Sequence, residues 1–177
     1  SRMLQAVKSC DFSDQEKDYY WTIVGYFNSI RGLGSAGTLI SGDMSQYLKT
    51  IFDRELIEPN KKRFPGSIVA TELTSRMNDS DIPEILKKLE TTFINNEKLD
   101  ICLATNMIAT GVDVPRLGLM VVHGQPKTTA EYIQASSRVG RDTKFAASIN
   151  KFIGQGLVLT IYSPTKPRDK SHYEQFQ

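Results

Sequence analysis

Apolar residues follow two rhythms along this chain. Short runs rich in β-branched and aromatic residues, at 21–27 (WTIVGYF), 67–73 (SIVATEL), 101–104 (ICLA), 117–122 (LGLMVV) and 156–162 (GLVLTIY), predict buried strands. Between them the spacing lengthens to that of helices. Met44, Tyr47, Leu48, Ile51 and Phe52 repeat as one helical stripe behind an Asp43–Gln46 D-x-x-Q box. Ile85, Leu86, Leu89 and Phe93 form another, opened by Asp81 and Glu84 with Pro83 in the first turn. The polar run 13–20 (SDQEKDYY) predicts a short helix capped by Ser13 or Asp11. Residues 30–40 read as helical despite Gly32, Gly34 and Gly37, each of which costs roughly 1 kcal/mol relative to Ala in a helix interior.

Strands alternating with capped helices predict an α/β fold, a parallel sheet of about six strands with helices on both faces. In such sheets ligands bind at the carboxyl ends of the strands. Ser29, Thr74, Thr105 and Lys127 all fall just past the end of an apolar run. Ser29 reads equally as a donor to a nucleic-acid phosphate and as a helix cap. The basic run 59–63 (PNKKR) reads as a solvated surface loop, and 142–155 as an insertion or short helix without assigned chemistry.

The densest chemistry lies between Asp100 and Arg141. The apolar run 101–104 breaks into ATNMIATGVDVP, a loop too polar for a core. The next run leads to QPKTTAEYIQASSRVGR, where Thr128 and Glu131 form a T-x-x-E capping box that starts a helix. If that helix persists, Gln134, Arg138 and Arg141 share one face at i, i+4 and i+7, opposite Tyr132, Ile133, Ser136 and Val139. A loop carrying hydroxyl, glycine and carboxylate beside two guanidinium groups describes a site for phosphate anions.

These residues resemble a family. ATNMIATGVDVP is similar to motif V, and YIQASSRVGR to motif VI, of the second RecA-like domain of superfamily 2 helicases; WTIVGYFNS resembles motif IV. Gln134, Arg138, Gly140 and Arg141 match the motif VI pattern, whereas Ala135 and Ser137 stand where Arg and Gly are commoner. The departure removes one possible phosphate contact and leaves both distal arginines. More narrowly, the chain is similar to the large helicases of bacterial DISARM-type phage defence systems. The resemblance implies a RecA-like three-layer α/β/α domain and an ATP-dependent helicase or translocase in the whole protein. Gly111 and Asp113 would touch the nucleotide. Arg138 and Arg141, with Gln134, would serve the γ-phosphoryl group, and Thr105, Ser29, Thr74 and Arg76 would contact nucleic acid, DNA in preference to RNA.

Composition bounds this picture. The 177 residues suffice for one domain with a real core, and 24% charged residues with 40% hydrophobic ones are those of a globular chain without a membrane span. Net charge is only +2, so any grip on nucleic acid must come from local patches. Two cysteines far apart, with Cys102 in an apolar run, predict reduced thiols in a cytoplasmic setting and no disulfide or metal site. There is no G-x-x-x-x-G-K-[ST] motif and no acidic pair to hold magnesium. The chain therefore reads as half of an ATP site. ATP and Mg²⁺ would be bound mainly by a preceding RecA-like domain. Ser1-Arg2 is not an initiator start, which suggests a piece of a longer protein, with residues 164–177 leading toward a following domain. The isolated domain is expected to be inactive; the competing reading is a non-catalytic RecA-like scaffold or binding module.

Overall fold

Each of the five apolar runs yields a strand, and all four pairings between them are parallel. The computed structural model describes residues 1–63, 66, 68–105, 113–141 and 155–175. Among these, β1 (Ile23–Phe27), β2 (Ala70–Leu73), β3 (Ile101–Ala104), β4 (Leu119–His123) and β5 (Leu157–Ile161) form one sheet in the order β2-β3-β1-β4-β5. The sheet has five strands among the described residues. Register sets Ile23 beside Ile101 and Leu119, which puts every carboxyl end on one edge.

The two faces carry separate cores. Val24, Tyr26, Cys102, Ala104, Met120 and Val122 point to one, where Ile85 and Leu89 of α5 (Ile82–Glu90), Ala135 of α6 (Thr129–Ser136) and Val139 cover them. Ile23, Phe27, Ile101, Leu103 and Leu119 point to the other, against Leu4 of α1 (Arg2–Ser9) and Leu33 of α3 (Ile30–Gly42). Beside them α4 (Met44–Arg54) buries Leu48, Ile51 and Phe52, as its spacing predicts. Helices on both sides explain why β1 and β3 are buried at every position.

Local signals hold unevenly. Ser13 and Glu16 close a reciprocal capping box at α2 (Asp14–Trp21), and the Ser29 hydroxyl caps α3 by accepting from Gly32 N at 3.1 Å. In α3 the hydroxyls of Ser35, Thr38 and Ser41 bond back to carbonyls four residues earlier, which satisfies them within the helix. Asp43 and Asp81 occupy N-cap positions but make no side-chain cap bond, because both residues have helical backbone angles instead of the extended ones a cap requires. Trp21, expected in the first strand, closes α2, and Phe93 lies beyond α5.

Two further expectations are corrected. Arg63 is not solvated: it is 3% exposed, ion-paired with Asp100, and lies 3.8 Å over the Trp21 ring. Asp100 also accepts from Trp21 Nε1 at 2.7 Å and from Val69 N at 2.7 Å, which satisfies the buried carboxylate. Burial lowers the Arg63 pKa, and the adjacent Asp100 opposes that shift. β5 is not buried but an edge, with Leu157, Leu159 and Ile161 exposed along one side. The polar tail folds into α7 (Pro167–Gln175), held by the buried Asp169. Residues 142–154 lie outside the described residues.

Candidate functional site

The site grows from one helix start at the carboxyl edge. Thr128 Oγ1 accepts from Glu131 N at 3.1 Å, fixing the first turn of α6. The Glu131 carboxylate closes the box one residue earlier than the motif requires, accepting from Lys127 N at 3.1 Å through Oε2. Its Oε1 accepts from the Tyr26 hydroxyl at 2.7 Å, which bolts α6 to the central strand. Burial, followed by the bond to Glu131, raises the Tyr26 pKa, so the phenol remains a donor.

The helix ends sooner than its spacing suggests. Ser137 caps it, residues 137–138 form a turn, and the common face expected for Gln134, Arg138 and Arg141 is not made by one continuous helix. Tertiary structure supplies the direction instead. Val139 is buried in the core, and Gly140 takes a left-handed backbone (φ +78°). Its amide donates to Leu117 O at 2.8 Å, and a Cβ there would lie 2.4 Å from Gly156 N. Only glycine fits this double constraint. The chain then turns Arg141 toward Asp113, where Nη1 and Oδ1 form an ion pair at 2.9 Å.

Asp113 is held from behind. Val114 is buried at 2%, and Arg116 grips Asp18 through Nε at 3.1 Å and Nη2 at 2.9 Å, with Nη1 on Leu89 O at 2.7 Å. Asp18 also accepts from Phe93 N at 2.6 Å. The sequence reading missed Arg116 and Tyr26 because their partners are 98 and 105 residues away. The bidentate geometry that makes such an arginine valuable has no local signature.

The expected residues are distributed as follows. Arg141 and Asp113 are brought together, with side chains 40% and 61% exposed. Arg138 lies half-buried in the turn between them and α6, and Gln134 is exposed on α6. Gly111 lies outside the described residues. Ser29, Thr74 and Thr105 follow the ends of β1, β2 and β3 on the carboxyl edge, whereas Gly140 and the turn to Arg141 lie by the starts of β4 and β5; Thr74 and Thr105 are buried, and Ser29 and Arg76 are exposed. Thr74 Oγ1 accepts from Arg76 N at 3.4 Å, so its hydroxyl shapes the turn that presents Arg76. Two cavities among the described residues, of about 530 and 550 Å³, flank β2 and contain neither Asp113 nor Arg141.

Comparison with known proteins gives this arrangement a context. The family described as "Helicase conserved C-terminal domain" matches residues 38–143. DISARM protein DrmA of Bacillus paralicheniformis is 49% identical over 160 residues, covering 90% of this chain and 13% of that protein. Nucleolar RNA helicase 2 of Rattus norvegicus is 34% identical over 61 residues, 34% of this chain and 8% of that protein. Among solved structures, the C-terminal part of the Fun30 ATPase domain superposes with a TM-score of 0.54 at 11% identity, covering 88% of this chain and 40% of that one. Mycobacterium smegmatis helicase Lhr bound to ssDNA and AMP-PNP gives 0.50 at 16% identity, over 90% of this chain and 16% of that one. These two likenesses concern the fold. The chain spans about one eighth of the length of the DISARM relative.

Proposed function

The chain belongs to the helicase conserved C-terminal domain family, and on that premise we propose that it supplies the arginine half of an interfacial ATP site in a nucleic-acid helicase or translocase. The observation that carries this reading is the Arg141–Asp113 pair. A guanidinium and a carboxylate, both partly exposed, face each other beside the strand starts at the amino edge of the parallel sheet, where Gly140 N donates to Leu117 O and Gly140 packs on Gly156. Donor chemistry fits the nucleotide: Asp113 can accept from a ribose hydroxyl, and the planar forks of Arg138 and Arg141 can each span two phosphate oxygens while staying charged. ATP, when bound, supplies the γ-phosphoryl group for transfer to water. Mg²⁺ and most of the triphosphate belong to a preceding RecA-like domain, since the P-loop and acidic magnesium ligands are not in this sequence.

The strand is proposed to lie along the carboxyl edge, near Ser29, Thr74, Arg76 and Thr105, held through its phosphates and hence without sequence preference. DNA is favoured over RNA because the identity covering most of the chain is to a DISARM protein, of a phage-defence system, whereas that to an RNA helicase covers 34%. No helix among the described residues is long and apolar enough to cross a membrane, and a cytoplasmic location accords with this role.

Steady-state ATP hydrolysis by the full-length protein, with Arg138→Ala and Arg141→Ala, tests the proposal. Turnover should fall by roughly 10³ or more for a lost arginine finger, with lysine rescuing poorly. Near-normal turnover in both variants would favour the alternative, a RecA-like scaffold that binds without hydrolysis.

A further inference from the structure

The carboxyl edge carries a group of cations that the proposed ATP half-site does not use. One carboxylate sets α7 on that edge. Asp169, 3% exposed, accepts from Gln125 N at 2.9 Å and from Ser163 N at 2.8 Å. Gln125 is itself tied to its neighbours: Asn28 Nδ2 donates to its carbonyl at 2.8 Å, and the Tyr162 hydroxyl donates to its Oε1 at 3.1 Å. Gly124 (φ +78°) permits the close approach, for a Cβ there would lie 3.3 Å from both Asn28 Nδ2 and Asp169 Oδ2. The start of α7 is therefore fixed beside the end of β1, next to Ser29.

That start is basic. Lys166 and Arg168 flank the latch and are exposed, as is Lys127, two residues beyond Gln125. None of the three joins an ion pair among the described residues, whereas Lys170 is drawn to Glu174 at 3.8 Å. The acids nearby are already engaged: Asp169 by two backbone amides, and Glu131 by the Tyr26 hydroxyl and Lys127 N. The chain's small net charge of +2 thus conceals a local excess of positive charge.

We infer that Lys127, Lys166 and Arg168 form a phosphate-contact surface that continues the nucleic-acid track from β1 across β4 and β5. This rests on the strand-binding reading above and extends it to residues outside the helicase motifs. The full edge, four inter-strand gaps of about 4.8 Å, is about 19 Å wide, and a strand lying across it would meet Arg76 at one side and α7 at the other. Continuity with Ser29 and the absence of a buried aromatic anchor among the three cations favour a polyanion backbone over a protein partner.

The test is nucleotide-free binding of a labelled oligothymidylate to the full-length protein across a salt series, read by fluorescence anisotropy. Lys166→Gln/Arg168→Gln should lower the magnitude of the log K against log salt slope by about 1.4, given about 0.7 per phosphate contact on a single strand. The thermal midpoint should not move. Lys49→Gln/Lys87→Gln, exposed on α4 and α5, should leave the slope unchanged. A slope indistinguishable from that control overturns the inference. If Arg76→Gln lowers the slope while the α7 variant does not, the strand reading stands and only the extension fails. If the unsubstituted protein shows no salt-dependent binding, both fail. Weakened binding to polyglutamate with unchanged strand binding would assign α7 to an acidic protein and also overturn it.

Discussion

Arg141 Nη1 and Asp113 Oδ1 lie 2.9 Å apart, so the two groups proposed to meet different parts of a nucleotide first meet each other. The pair holds both in place at the domain surface. Because it is exposed, it adds only about 0–1 kcal/mol to stability. Asp113→Asn should therefore shift the urea midpoint little while raising KM for ATP. A large loss of stability, with KM unchanged, would make the pair structural.

Tyr26→Phe removes one hydroxyl from the bolt between β1 and α6. A hydrogen bond to a charged group contributes about 1.5–3 kcal/mol, and the variant should lose that much in urea unfolding. Thr128→Ala should cost about 1 kcal/mol through the cap. Additive losses in the double variant would argue against a shared role in seating α6.

Gly140→Ala meets both a left-handed backbone and the Gly156 amide, so relaxation requires the turn and the start of β5 to part. The expected result is a folded protein of lower thermal midpoint in which ATP turnover falls with Arg141 displaced. Wild-type values of both would show that the turn tolerates a side chain.

Removing one partner from a buried ion pair costs about 3–5 kcal/mol. Arg63→Ala should do so, leaving Asp100 buried with only neutral donors. Arg63→Met should be milder. Thermal unfolding of the two variants checks the order.

Cys102 is fully buried, and burial pushes its thiol up from 9.0 to about 12. The folded state thus prefers the proton, a preference that costs nothing below pH 9 and weakens folding as pH rises from 9 toward 12. Stability should fall by up to about 1.4 kcal/mol per pH unit in that window from this group. Cys102→Ala should flatten the alkaline limb of the thermal midpoint against pH. A thiol reagent at pH 8 should modify the partly exposed Cys10 well before Cys102.

What the sequence determined by itself was periodic or local. Five apolar runs marked five strands, the Ser13 and Thr128 caps placed two helix starts, and ATNMIATGVDVP with YIQASSRVGR marked the family. Alternation of strand and helix implied a parallel sheet, and with it a common carboxyl edge for Ser29, Thr74, Thr105 and Lys127. Contacts between distant parts of the chain decided the rest. Arg63 reads as one more residue of a basic loop until Trp21 and Asp100 close around it, and Asp43 reads as a cap until its backbone turns helical. The arginines of the site show the same division. Helical spacing placed Gln134, Arg138 and Arg141 together, but α6 stops at Ser136, and Arg141 reaches Asp113 because Gly140 packs on Gly156 while Arg116 anchors the facing loop on Asp18. Those constraints depend on close approach in three dimensions, which spacing along one helix cannot encode.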